Sequence, residues 1–263
     1  MFRIFLAEGR KLRRPTLALG TLGAALFFTG LITSFTYLMI DSPQGNSDRG
    51  RHVGREVLQL ASGSVHGFQS VGGLLGIIAL CVFAAQTAQE YTYGTLRNLL
   101  VRQPGRIQLL LGKLAAMKIF AVALTLIAAV ASIAISVVLA PGAKVPTDLW
   151  FTSAGIAAIT HAMINVLLSV IYFGIVGMAL GILFRSPITA ISIGVLWILI
   201  IENLLGAVKP ELVKWMPGNL ISTIALGGGI EITYLRAITL GTSFVFILLA
   251  VATTLFAKRD VAN

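Results

Sequence analysis

Residues 90–113 read EYTYGTLRNLLVRQPGRIQLLLGK and separate two long apolar runs, 67–89 and 114–140. The stretch carries one acid, four bases, a Gly-Thr step at 94–95 and a proline at 104. Each flanking run is longer than the roughly 20 apolar residues that a helix needs to cross hydrocarbon. A dense polar interval between two such runs is what a chain makes where it leaves a bilayer, turns and enters it again.

The rest of the chain repeats the pattern. Of 263 residues, 57% are hydrophobic and 11% charged, against about a quarter charged in soluble domains. Apolar runs occupy 17–40, 67–89, 114–140, 154–184, 187–207 and 234–257. Each is apolar on nearly all sides, as a helix in lipid must be when its backbone groups can bond only internally. The alternation that a membrane β-barrel strand requires does not recur. The chain is therefore expected to be an all-α integral membrane protein with six transmembrane helices in one domain, 1–263. The run 17–40 is too long for a signal-peptide core and precedes no small-x-small cleavage site, so it is expected to persist as a span. Cys81, the single cysteine, lies within a run, which leaves no partner for an intrachain disulfide and no cysteine metal cluster.

The net charge is +10, and its distribution sets the topology. With the N-terminus inside, the inner segments hold 13 bases against Glu8, Glu90 and Asp260, a balance of +10. The outer segments hold seven bases and seven acids. By the positive-inside rule both termini and residues 90–113 lie in the cytoplasm, in a cell (inner) membrane. The basic charge then reports topology and contact with anionic membrane lipids, and no nucleic-acid partner is expected.

Residues 1–14, MFRIFLAEGRKLRR, group Phe2, Phe5, Leu6, Gly9 and Leu12 on one face of a helix and Arg3, Arg10, Lys11 and Arg14 on another. Such a helix lies along the membrane interface. On the outer side, 41–66 and 141–150 read as loops rich in turn residues. Residues 208–233 mix an amphipathic piece, Pro217-Gly218, a short apolar run and three glycines at 227–229. That run is too short to span, which predicts a re-entrant hairpin between spans five and six.

Within the opening stretch, Thr95 is placed to cap a short helix whose Leu96, Leu99 and Leu100 share one face. Arg97, Asn98 and Arg102 point elsewhere, and Pro104-Gly105 ends the helix before Arg106 opens the next span. A short helix with an apolar and a charged stripe is suited to seat in a groove on a soluble partner.

The pattern Glu90, Gly94-Thr95-Leu96-Arg97, Leu100, Pro104, Arg106, Gly112-Lys113 resembles the cytoplasmic signature of type-2 ABC transporter permeases. These are the membrane subunits of exporters for drugs, lipids, peptides and polysaccharides. The resemblance extends to the N-terminal helix, the six spans and the hairpin holding Trp215, Met216 and Pro217. It implies that 90–106 forms a coupling helix that docks on an ABC ATPase subunit. Glu90, Gly94, Thr95, Leu96, Arg97, Leu99, Leu100, Arg102 and Arg106 are then the ATPase-coupling residues. It also implies a second permease chain, identical or paralogous, to complete the path. Gly112-Lys113 is followed by Leu114, whereas a P-loop needs four residues between its glycines and Ser or Thr after the lysine. No cofactor is expected on this chain; ATP and Mg belong to the separate ATPase.

Candidates for the translocation path are the polar residues within the spans: Gln86, the stripe His161, Asn165 and Ser169 with Tyr172 nearby, and Glu202-Asn203. The stripe can equally be interhelical hydrogen-bond glue, each bond worth roughly 0.6–2 kcal/mol, and Gly174, Gly177 and Gly181 beside it mark a close-packing surface. Glu202 reads most simply as the start of the outer interface against the hairpin, because a mid-membrane carboxylate would cost about 3 kcal/mol. A gating or proton-coupled role is its alternative. Two other function classes compete. An ATP-independent channel or secondary transporter would favour repeated, paired broken helices, and no repeat relates 1–140 to 141–263. An intramembrane serine hydrolase would pair Ser243 with His161, which needs hydrogen-bond reach and an oxyanion site.

Overall fold

A computed structural model describes residues 2–40, 53–102 and 105–258. The chain is a multi-pass membrane protein with six helices long and apolar enough to cross a membrane. The helices in order are α1 (Phe2–Leu12), α2 (Pro15–Leu38), α3 (Arg55–Gln59), α4 (His66–Thr92), α5 (Thr95–Arg102) and α6 (Arg106–Leu139). They continue with α7 (Ser153–Phe184), α8 (Pro187–Leu196), α9 (Glu202–Val208), α10 (Pro217–Ala225) and α11 (Tyr234–Lys258). Much of the expected outer loop, 41–52, lies outside the described residues, as do Pro104 and the last residues from Arg259.

Two spans differ from the sequence expectation. The third begins at Arg106 rather than 114, because 106–113 continues the same helix. At 1.5 Å per residue α6 is about 51 Å long, well beyond a hydrocarbon layer of about 30 Å, so one end projects past the apolar zone. The fifth is interrupted: a π-helical turn, Trp197–Ile201, joins α8 to α9, with the Glu202 N–H donating to the Trp197 carbonyl. Nothing in the apolar string WILII announces this turn.

α4 and α7 form the centre of the bundle. Within their most apolar windows 56% and 67% of residues are buried, against 17–33% in the other four spans. Glycines on both helices let them approach. A Cβ on Gly177 would collide with the Leu80 carbonyl oxygen, and one on Gly181 would lie 2.8 Å from that of Ala84. The aromatic rings fill the space that glycines leave, Phe173 over Gly76 and Phe83 over Gly174. In a bilayer, where lipid is as apolar as leucine, this close contact is what drives helix association.

Polar contacts finish the bundle. α2 and α6 share the buried Thr33–Ser132 hydroxyl pair at 2.9 Å. At one end, Trp150 is fully buried and donates from Nε1 to the Leu58 carbonyl at 2.9 Å, while Arg55 Nε donates to the Ala143 carbonyl. At the opposite, basic end, Arg106 Nη1 donates to the carbonyls of Phe256 and Ala257, satisfying the C-terminus of α11. The Arg185 guanidinium lies 5.7 Å from the Tyr91 ring and ties the α7–α8 turn to α4.

Gly177→Ala should therefore destabilise the bundle by about 1–3 kcal/mol, the usual cost of overpacking. Gly20→Ala and Gly23→Ala on α2, where a Cβ meets nothing within 4 Å, should leave stability unchanged. Thermal unfolding of the detergent-solubilised chain measures both.

Candidate functional site

Two clusters concentrate the polar chemistry, one at each end of the bundle. At the basic end, Gly94 takes φ 64, a left-handed conformation that suits glycine, and turns the chain from α4 into α5. The leucine face of α5 does not look outward. Leu96 is 3% exposed, and Leu99 and Leu100 are half-buried against the cluster that also holds Leu109, Leu110 and Tyr91. The apolar stripe expected to seat on a partner is thus packed against the chain's own core, beside α4. What α5 leaves exposed is Thr95, Arg97, Asn98 and Val101, beside Tyr93 and Gly94. The Arg102 side chain lies outside the described residues, and Arg106 is engaged on α11.

Glu90 is also turned inward. It belongs to a buried ionic cluster that residue spacing alone does not assemble. The Lys113 ammonium, 1% exposed, lies 2.8 Å from Glu90 Oε1 and 3.2 Å from Glu8 Oε2, and donates to the Gln86 carbonyl at 3.0 Å. Lys11 Nζ bridges the same carboxylates, 2.6 Å from Glu8 Oε1 and 2.9 Å from Glu90 Oε1. Two acids and two bases thus neutralise each other and fasten α1 to α4 and α6. A signal for it exists in the chain: Glu8 and Glu90 are two of only three acids in the basic segments, and Lys113 has apolar neighbours on both sides, LLLG before it and LAAM after.

The charge states follow from this packing. Burial opposes the charge on Glu8, but the Lys113 and Lys11 ammoniums outweigh it and hold the carboxyl below the usual carboxylate range. Burial likewise opposes the charge on Lys11, and Glu90 and Glu8 outweigh it and raise the ammonium above the usual lysine range. α1 is fixed by this cluster and by buried Leu12 and half-buried Phe5, whereas Leu6, expected on the same apolar face, is exposed.

At the other end, Glu202 is 2% exposed and holds the N-terminus of α10. Its Oε1 accepts from Gly218 N at 2.9 Å and Trp197 Nε1 at 3.0 Å; its Oε2 accepts from Asn219 N at 2.9 Å and Asn219 Nδ2 at 3.2 Å. The π-helical turn makes this geometry, since one extra residue rotates the rest of the helix by about 100°. The carboxylate and Asn203 line a recess of about 230 Å³ between α4, the π-turn and α10.

The stripe on α7 makes contacts between helices. Asn165 Oδ1 accepts from Tyr234 at 2.6 Å, Ser169 donates to the Ile221 carbonyl at 2.9 Å, and Tyr172 pairs with Thr242 at 2.8 Å. His161 is exposed, and Gln86 is buried beside the ionic cluster. Ser243 donates to the Thr239 carbonyl. Because its neighbour Thr242 meets Tyr172, 11 residues from His161, Ser243 lies about 16 Å along α7 from that histidine by helix rise. The structure does not bring the two together.

Residues 50–262 match the family described as "Protein of unknown function (DUF2705)". The chain belongs to the DUF2705 family. No match was found among curated proteins. In this DUF2705 protein the matched residues include α5, Glu90, Lys113 and the Glu202 recess, whereas α1 and α2 precede them.

Lys113→Met leaves two buried carboxylates with one cation and should cost about 3–5 kcal/mol, with part recovered on adding Glu90→Gln; unfolding of the single and double variants checks this. For pH, the lowered Glu8 contributes fully above the ordinary carboxylate range and loses its contribution as pH falls through the lowered value. The raised Lys11 contributes fully below the ordinary lysine range and loses its contribution as pH rises through the raised value. A nitroxide at Leu6→Cys, in a Cys81→Ala background, should report a docked α1 near neutral pH and a mobile one at both extremes.

Proposed function

We propose that this chain is the permease subunit of an ATP-binding-cassette exporter. It forms a translocation path with a second permease chain, identical or paralogous, and is driven by separate ATPase subunits that bind ATP and Mg. The observation that carries the reading is α5: a short helix at the basic end, between spans two and three, anchored by leucines and presenting Arg97, Asn98 and Val101 outward. In this reading the basic end is cytoplasmic, and the 3₁₀ turn Pro210–Trp215 with α10 forms a hairpin dipping back from the outer face.

The packing supports a mechanism by displacement of rigid parts. A push on the exposed face of α5 passes through Leu96 into the bundle core and through the Gly94 turn into α4. α4 cannot move alone at this end, because Glu90 holds α1 and α6 through Lys11 and Lys113. The tight α4–α7 contact carries the displacement towards the recess beside Glu202. Closure of two ATPase subunits would then rock whole groups of spans, with the recess as this chain's share of the path.

Co-expression with the ABC ATPase subunits of the same source should yield a complex that co-purifies with the chain. Arg97→Glu should weaken that association by about tenfold or more, since like charges opposed across an interface cost several kcal/mol, while membrane insertion stays normal. Failure of any ATPase to co-purify, or full coupling in Arg97→Glu, defeats the proposal. Leu96→Asp should instead lower the folded yield, because its side chain is buried.

A further inference from the structure

The recess beside Glu202 has a chemical bias that identifies what it would take. Glu202 is the one ionisable group among the described residues that line it. Its two oxygens already accept four donors, two from the start of α10 and one each from Trp197 and the Asn219 amide. A carboxylate offers about four acceptor sites, so the four donors fill it, and hydrogen bonds to the charged form favour that form. The donors and the α10 dipole bring no formal positive charge, so an ionised Glu202 is the one formal charge among the described lining residues.

The amide groups add to the bias. Asn203 Nδ2 faces the Leu199 carbonyl at 2.9 Å, and Asn219 Nδ2 faces Glu202. Both nitrogens are fixed by an acceptor, so each side chain has its carbonyl oxygen left to offer. Gln69, Ser70 and Ser222 have no side-chain hydrogen bond among the described residues and can serve a ligand. Leu74, Ile77, Ile198, Leu199 and Leu226 make the remaining wall apolar. The Asn203 and Asn219 amide donors are consumed internally and their carbonyl oxygens remain, the Gln69, Ser70 and Ser222 side chains can each donate or accept, and no cation among the described lining residues balances the carboxylate.

We propose that the recess binds the head of a cationic amphiphile, an N–H-bearing ammonium group on an apolar body, and excludes anions of the same size. This deepens the exporter reading and rests on it, in that the bound amphiphile would be the cargo class.

Hexylammonium and hexanesulfonate carry the same apolar body with opposite heads, and their binding to the full chain in zwitterionic nanodiscs can be followed by calorimetry. Hexylammonium should bind about tenfold or more tightly, as expected for one uncompensated charge in a partly screened site. Ser222→Leu, which fills the recess without touching Glu202, should abolish the preference, and so should Glu202→Gln. Asn203→Leu should weaken hexylammonium and leave hexanesulfonate unchanged. Equal binding of the two probes overturns the proposal, as does a preference that persists in Ser222→Leu. The measurement needs no ATPase: a cation preference without a co-purifying ATPase would keep the site and remove the exporter reading. An ATPase complex without the preference would do the reverse.

Discussion

No charge can be buried alone in this protein, and that constraint organises both ends of the bundle. Lys113 sits at 1% exposure within a long apolar helix. The several kcal/mol that such burial costs an ion are offset only by bringing Glu90 from α4 and Glu8 from α1 to its ammonium. Lys11 then balances the second carboxylate. Each member is needed by the others, so α1, α4 and α6 are joined at one point. Glu202 meets the same constraint by another route: its four donors come from peptide groups, an amide and an indole, and no cation among the described residues takes part.

The two solutions have different consequences. A neutral, fully paired cluster is a fastening, stiff and indifferent to ligands. A carboxylate satisfied by dipoles has no cation beside it among the described residues, and the recess next to it keeps its polarity. Between them runs the α4–α7 contact, which is close enough to transmit movement because glycines face backbone and aromatic rings fill the gaps. The bundle therefore has a close-packed centre between the exposed face of α5 and a polar recess at the opposite end.

Much of this was legible in residues 90–113 and their flanks. The apolar runs located six spans to within a few residues except at α6, where a helical extension of the span continues past the apolar zone. The short helix after Gly94 and the glycines of α7 were likewise visible, since both are local patterns of spacing. Two things were not. The inward sense of the α5 leucines is set by packing against the core, and the partners of Glu90 lie 23 and 79 residues away. The π-turn had no signal at all, because its five residues are all apolar and equally at home in an α-helix.

The sequence by itself determined the class and the spans, because these depend on composition and length, which are properties of segments. Tertiary structure alone decided which faces are spent. It turned the leucines of α5 inward and left Arg97, Asn98 and Val101 exposed, drew Glu90 into the ionic cluster, and aimed Glu202 at the start of α10. Those choices depend on distances between residues remote in sequence, where a buried charge or carbonyl must find a partner in whatever helix packing brings near.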